Sequence, residues 1–341
     1  MLVGVATEST SAPAMNSTGT APELSFVIVN WNGGAFLRNA IESIVSFAPR
    51  IPFDIIVVDN ASTDGSQDWL RSKSMRARLG AVRLHLIENP ENVGFARANN
   101  QAFALTRAPL LFLLNPDAEL RERACDILMA RLDGDDRIGA CGPRIVNPDG
   151  SLQVSVWRNP PAAWATLLSG LKLYKLLPRR TSGELLLGVH WMHDRRREVG
   201  MLGGAAIVVR RRVIEQVGGF DERFHMYGED NEWCLRIRRA GWRLLFEPDA
   251  VVMHHGGRSA ALRWTDLEKL RVQLDALFRF ESYCLNRPWR LANRFAETMV
   301  LFGHRLWLAL RRRPAETVSL ALRLHLDDIR NMLRFSRRTR L

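Results

Sequence analysis

LLFLLNPDAEL, residues 110–120, sets five apolar residues against an Asn115-Pro116-Asp117 stop. An apolar run this short, bounded by turn residues, reads as a strand buried on both faces, the pattern of a parallel sheet covered by helices. The chain upstream repeats it. Leu24–Val29, Asp54–Asp59 and Arg83–Ile87 read as strands, Pro109–Leu114 is the fourth, and helical periodicity lies between them over Ala35–Phe47, Ser66–Leu79 and Phe95–Thr106. Strand alternating with helix predicts an α/β fold: a mainly parallel, doubly covered sheet whose ligands bind at the carboxyl ends of its strands. The polar residues falling there are Asn30, Asp59, Asn60, Asn92 and Asn115-Pro116-Asp117. Taken singly, each is equally an ordinary turn or cap residue.

Downstream the pattern changes. Leu152, Val154 and Val156 alternate and read as a strand over 151–158, whereas 160–200 carries Pro, Trp and basic residues without a period and reads as a loop or lid. Gly203-Gly204-Ala205 leads into a strand at Ala206–Val209, then a short helix at Arg212–Val217. Glu229–Ala240 reads as a helix, and Leu244–Phe246 and Ala250–Met253 as strands ending at His254-His255. From Glu281 onward the chain is largely helical and holds 13 Arg, no Lys and 5 acidic residues, so most of the formal +12 charge sits in the last fifth.

Composition narrows the classes. With 341 residues, 47% hydrophobic and 25% charged, the chain can bury a full core. Its basic balance predicts an anionic partner: nucleic acid, anionic lipid or a phosphorylated substrate. Cys125, Cys141, Cys234 and Cys284 form no C-x-x-C pair, which argues against a disulfide framework or structural zinc and fits a reducing cytosolic compartment. Residues 1–22, rich in Ser, Thr, Ala and Pro without a basic start and long apolar core, read as a disordered lead-in. No stretch reaches the roughly 18 uncharged apolar residues of a membrane span; the nearest, Phe295–Leu310, is interrupted by Glu297, His304 and Arg305.

Three motifs carry chemistry, each with a structural reading beside it. Asp117 either holds a divalent cation, and through it a diphosphate, or caps a helix opened by Pro116. Glu229-Asp230, after Gly228, either supplies a general base or merely gains from a helix dipole. His254-His255-Gly256-Gly257-Arg258 either ligates metal and approaches phosphate oxygens or simply ends a strand.

The combination is more specific than its parts. FVIVNWNGG (26–34), IIVVDNASTDGS (55–66), ENVGFARANN (91–100), LLFLLNPDAEL (110–120), GGAAIVVRRRVIEQVGGFDERF (203–224) and YGEDNEWCLRIRRAGWRLLFEPDAVVMHHGG (227–257) occur in one order and spacing. Over residues 24–260 the chain resembles the family-2 glycosyltransferases, which have the GT-A fold, and most resembles their bacterial dTDP-rhamnose-dependent members. The resemblance implies a catalytic domain over 23–265, with a nucleotide-binding half (23–120) and an acceptor half (121–265), followed by a basic amphipathic helical tail (266–341). It assigns donor binding to Asn30, Asp59, Asn60, Asn92, Gly94, Phe95, Asn115 and Asp117. It gives the metal, Mg2+ or Mn2+, to Asp117 and His254 (His255 being the alternative), the catalytic base to Asp230, and the sugar or acceptor site to Gly203, Gly204, Ala205, Glu229 and Trp233. Asn115 stands where the family's D-x-D motif begins with Asp, so one anionic ligand is missing: either the cation is held more weakly or Asn115 meets the ribose or donor sugar.

The implied reaction is an inverting transfer of a sugar, L-rhamnose from dTDP-rhamnose, to a hydroxyl of a glycan or polyprenyl-diphosphate-linked glycan in cell-surface polysaccharide assembly. Galactosyl, glucosyl or N-acetylglucosaminyl transfer from a UDP-sugar is the alternative, because such donors differ at a few hydroxyl contacts. Trp289, Phe295, Leu301, Phe302, Trp307 and Leu310 beside an Arg-rich face suit an interfacial helix on an anionic membrane, giving a peripheral cytoplasmic protein at the inner face of the plasma membrane, or else a helical cap or dimer interface. A nucleic-acid binder is disfavoured: the charge lies outside the motif-bearing half and no recognition motif accompanies it. The retained Asp117, Asp230 and His254 speak against a silent scaffold.

Overall fold

The computed structural model describes residues 21–224, 226–256 and 265–338. The lead-in as far as residue 20, and Gly257-Arg258 of the strand-end motif, lie outside the described residues.

The first half forms as its periodicity predicts: β1 (Leu24–Asn30), α1 (Gly34–Phe47), β2 (Phe53–Asp59), α2 (Ser66–Arg71), α3 (Lys73–Leu79), β3 (Arg83–Glu88), α4 (Phe95–Leu105) and β4 (Leu110–Leu114). The helix expected over Ser66–Leu79 is two helices, because the Ser72 hydroxyl caps a new start by accepting from the Met75 amide, 3.2 Å away. The Asn-Pro-Asp stop opens no helix. It turns the chain into β5 (Ala118–Leu120), which is followed by α5 (Ala124–Gly134), β6 (Ile138–Val146) and β7 (Leu152–Gln153). The strand expected over 151–158 is thus reduced to two residues. The stretch 160–200 is not a bare loop: it holds α6 (Ala163–Gly170), a 3-10 turn at Leu173–Leu176, α7 (Arg179–Leu186), a second 3-10 turn at Gly188–His190 and β8 (Arg197–Glu198). Then come β9 (Ala206–Arg210), α8 (Arg211–Val217), α9 (Glu229–Arg239) and β10 (Arg243–His254). The two short strands expected at 244–253 are one, with a register shift between Glu247 and Val251. The tail is α10 (Asp266–Cys284), α11 (Arg287–Leu310) and α12 (Glu316–Arg338).

The strands form one mixed sheet in the order β3-β2-β1-β4-β9-β6-β10-β5, with β7 beside β6 and β8 beside β10. Along the main order only β9 and β5 run against the rest. Alternation within β1 shows how the faces fill. Phe26 and Ile28 join Leu37, Ile41 and Ile44 of α1 in one core layer, while Val27 joins Ala98, Ala102 and Phe103 of α4 in the other. Each of the Val, Leu, Ile and Phe side chains among them, fully buried, contributes about 1.5–3 kcal/mol of transfer free energy. The tail docks on this body. Phe280 packs with Phe224 and Leu235, and a side chain at Gly170 of α6 would collide with Val300 of α11.

Candidate active site

The reversed strands assemble the site. Because β9 runs against β4, its leading residues Gly203-Gly204-Ala205 lie at the carboxyl end of β4, where the Asn115 amide donates to the Ala205 carbonyl at 2.9 Å. Because β5 runs against β10, Ala118 pairs with His254, and the register brings the preceding Asp117 against the end of β10. The edges of β1, β4, β9 and β10 therefore converge on one cleft of about 360 Å³. It holds Asn60, Asn92, Gly94 and Phe95 on one side, Asn115, Asp117 and His254 at the floor, and Gly203–Ala205, Glu229 and Asp230 opposite.

On the first side, polar groups brace one another. Asn60 donates to the Gly94 carbonyl at 3.3 Å and accepts from Asn89 at 2.8 Å, while the Asn92 side chain accepts from the Gly94 amide at 3.0 Å. Gly94, at φ 88, turns the chain into α4 in a conformation that disfavours a side chain. Asn30 and Asp59 stand behind this wall. Both are fully buried, Asn30 donating to Asp59 at 2.7 Å, and Asp59 also accepts from the Ser62 amide and Gln67. Neither is among the residues lining the cleft; from behind, both brace the wall that Asn60 presents.

At the floor, His254 Nε2 lies 3.0 Å from Asp117 Oδ1 and 3.3 Å from the Asn115 amide nitrogen. Its Nδ1 is 2.6 Å from Gln153 Oε1. That oxygen can only accept, so Nδ1 carries the proton and Nε2 is left toward Asp117, the arrangement by which an outer partner orients a ligating imidazole. A carboxylate oxygen and an imidazole nitrogen thus converge, which fits a hard divalent cation completed by phosphate oxygens and water. Among the described residues no group of three or more His, Cys, Asp or Glu forms a fuller cage. His255 turns the other way, to Glu119 at 3.2 Å and against the Phe36 ring.

Opposite, Tyr227 (φ 66) and Gly228 (φ 86) turn the chain sharply into α9, presenting Glu229 and Asp230 in its first turn. The Asp230 carboxylate accepts from the Gly204 amide at 3.1 Å and from the Asn231 amide at 2.8 Å. Burial raises its pKa, and these two amides oppose the rise. Glu229 is more perturbed: burial first, then the Asp230 charge, push it up to about 8, and its Oε2 is buried with no hydrogen-bond partner among the described residues. Burial thus raises both adjacent carboxyls, and only Asp230 has backbone amides from neighbouring residues that favour its charged form. Trp233 is not among the residues lining the cleft: it is 0% exposed, packs against Phe220 and Phe103, and donates to the Gly218 carbonyl, as a core residue does.

Among the lining residues that the sequence reading did not single out are Trp31, Gln153, Trp157 and Tyr227. Trp31 and Tyr227 sit inside quoted motifs; Gln153 alternates with Leu152 and Val154, the only signal that it faces inward.

The family model described as glycosyl transferase family 2 matches residues 25–218. The chain belongs to that family. This glycosyltransferase is 29% identical over 331 residues to the N-acetylglucosaminyl-diphospho-decaprenol L-rhamnosyltransferase of Mycobacterium tuberculosis, a match covering 93% of this chain and 96% of that protein. Among solved structures, a mannosyltransferase of Pyrobaculum calidifontis in complex with GDP-Man and Mn2+ superposes with a TM-score of 0.56 at 17% identity, covering 91% of this chain and 86% of that one. GalNAc-T7 with UDP, GalNAc and Mn2+ gives 0.51 at 18% identity over 69% of this chain and 44% of that longer one. These two likenesses show the fold, a GT-A-type mixed sheet with flanking helices and, here, a C-terminal helical region.

Proposed function

We propose that this glycosyltransferase moves L-rhamnose from dTDP-β-L-rhamnose to a sugar hydroxyl of a polyprenyl-diphosphate-linked glycan, with inversion, at the inner face of the plasma membrane. The near full-length match to the mycobacterial rhamnosyltransferase carries this reading.

The residues of the cleft take complementary parts. Asn60, Asn92, Gly94 and Phe95 line the side that receives the nucleotide. Asp117 and His254, with Asn115 beside them, would hold a divalent cation. When bound, such a cation neutralises charge developing on the departing diphosphate. Gly203–Ala205 bring backbone rather than side chains to the cleft, leaving room for the sugar. Asp230 faces the acceptor hydroxyl: its carboxylate takes the proton as that oxygen bonds to the anomeric carbon, and the bond from that carbon to the diphosphate breaks, releasing dTDP. The two amides that grip Asp230 hold it in orientation without consuming its second lone pairs.

The tail supports a membrane setting. Phe295, Met299, Phe302, Leu306 and Leu310 recur at helical spacing along α11 and are all exposed, flanked by Arg305 and Arg311 to Arg313. Among the described residues no helix is long and apolar enough to cross a membrane.

The deciding experiment is turnover and donor hydrolysis against a panel of nucleotide sugars, with and without Mg2+ or Mn2+. Selective, cation-dependent use of dTDP-rhamnose supports the proposal. Preference for a UDP-sugar refutes the donor assignment, and unchanged turnover in chelator refutes the role given to Asp117 and His254.

A further inference from the structure

A second cavity, of about 550 Å³, lies beside the catalytic cleft, walled by residues 174–192 and by Leu152. The segment that starts at Leu152 separates the two: Leu152 lines the second cavity, while Gln153, Ser155 and Trp157 line the cleft. Trp157 also pairs with Leu187 through backbone, fixing the wall between them.

The second cavity is cationic. Lys175 and Arg179 face it, and neither forms an ion pair among the described residues. Glu184, the sole acidic residue of α7, is held by Arg195 and Arg197 and offers them no compensation. His190 and Ser182 add polar groups, His190 being positioned by Ser169 at 2.8 Å and by the Tyr174 ring at 4.4 Å. Unpaired cations around a concave site recognise phosphate oxygens.

Its rim is apolar and wet. The lining residues Val189 and Met192 are 76% and 52% exposed, and Leu176, between the lining residues Lys175 and Leu177, is 83% exposed. Leu171 and Leu173, between α6 and the lining residue Tyr174, are also exposed, and α6 packs on α11 at Gly170 and Val300. Exposed apolar side chains gathered at a cavity mouth mark a binding face. A free phosphate or nucleotide uses only the cations, and an apolar peptide only the rim. A diphosphate esterified to a hydrocarbon uses both.

We infer that the cavity formed by Lys175, Arg179 and His190 binds the diphosphate of the lipid-linked acceptor, with Leu176, Val189 and Met192 against the start of its hydrocarbon chain. The sugar on that diphosphate then crosses the 152–157 segment into the catalytic cleft. The inference rests on the acceptor class proposed above, and it assigns that specificity to residues 174–192 rather than to the nucleotide half.

The test is direct binding of farnesyl diphosphate to the full-length protein, with saturating dTDP closing the nucleotide site. Lys175→Ala/Arg179→Ala, both exposed positions, is expected to weaken this binding at least tenfold while leaving dTDP affinity and thermal stability unchanged. Wild-type protein is expected to bind farnesyl diphosphate at least tenfold more tightly than inorganic pyrophosphate. Equal binding by variant and wild type, or no binding by wild type, overturns the inference. So does equal affinity for pyrophosphate, or a matching loss of binding to phosphatidylglycerol vesicles, which would make the patch a general anionic-lipid contact. Binding is read without turnover, so farnesyl diphosphate capture by a protein that transfers no rhamnose would count against the proposed reaction and still support the subsite.

Discussion

Replacing Glu229 by Gln isolates the effect of a buried carboxyl at the head of α9. The side chain keeps its shape and loses its titration. In the wild type the carboxyl titrates at about 8 instead of the usual 4.5, raised by burial first and by Asp230 second. The folded state therefore holds this proton through a window in which the unfolded chain releases it. Stability from this group is fully present below about pH 4.5 and is lost as pH rises toward 8, at a slope of about 1.4 kcal/mol per pH unit. Across the window the ceiling is about 5 kcal/mol, a large part of the 5–15 kcal/mol that typically separates folded from unfolded protein. Glu229→Gln removes that slope. Urea melts at pH 5.5 and 8.5 are expected to show the variant more stable by about 1.4 kcal/mol at the lower pH and by several kcal/mol at the higher. A stability difference that is the same at both pH values would refute the assigned burial effect. Turnover supplies an independent reading. At pH 7 the wild-type Glu229 is already mostly neutral, so Glu229→Gln is expected to stay within about tenfold of wild type, well inside the 10²- to 10⁴-fold range of a lost general base. A loss as deep as that of an Asp230 variant would transfer the base role to Glu229.

Asp230→Asn is expected to lower kcat by about 10²- to 10⁴-fold with nucleotide-sugar affinity unchanged; calorimetric donor binding beside turnover checks both halves. Gln153→Leu removes the acceptor that orients His254 Nδ1, and about 10- to 100-fold weaker Mn2+ binding is expected, read by electron paramagnetic resonance of free Mn2+. Arg294, 0% exposed, contacts Glu281, Glu297 and Asp328, so Arg294→Met strands buried Glu281 and is expected to cost about 3–5 kcal/mol in urea melts, with much of it recovered by adding Glu281→Gln. Phe302→Glu/Leu306→Glu charges the exposed stripe of α11 without touching the core, and at least tenfold weaker flotation with phosphatidylglycerol vesicles is expected at unchanged thermal stability.

Much of the fold was legible because its first half obeys local rules. β1 to β4 are short apolar runs with turn residues at their ends, and each appears within about a residue or two of its predicted bounds. The stretch 160–200 was not legible. Its helices are short, α6 buries no residue fully, and α7 buries only Ser182, Gly183 and Leu186, so neither writes a strong period into the sequence. The helix over Ser66–Leu79 was misjudged for a different reason: periodicity runs through Ser72, and only the hydroxyl's competition for the Met75 amide reveals the break.

The site divides along the same line. Asp117, Asp230 and His254 were readable because each ends or begins an element at a motif, and the sheet edge brings such positions together. Which neighbour each one meets was not readable, because that depends on strand direction. Nothing in Ala206–Val209 distinguishes a parallel strand from an antiparallel one; its reversal is what delivers Gly204 to Asp230. The short return of β5 against β10 likewise puts Asp117 beside His254 across 137 residues of chain. Trp233, placed at the acceptor only by the resemblance, lies in the core for the converse reason: α9 enters the cleft by its first turn, and the next turn is already packed beneath Phe220. A helix that approaches a site end-on shares its cap residues with the chemistry and commits the following turn to the core, and the structure places that boundary between Asp230 and Trp233.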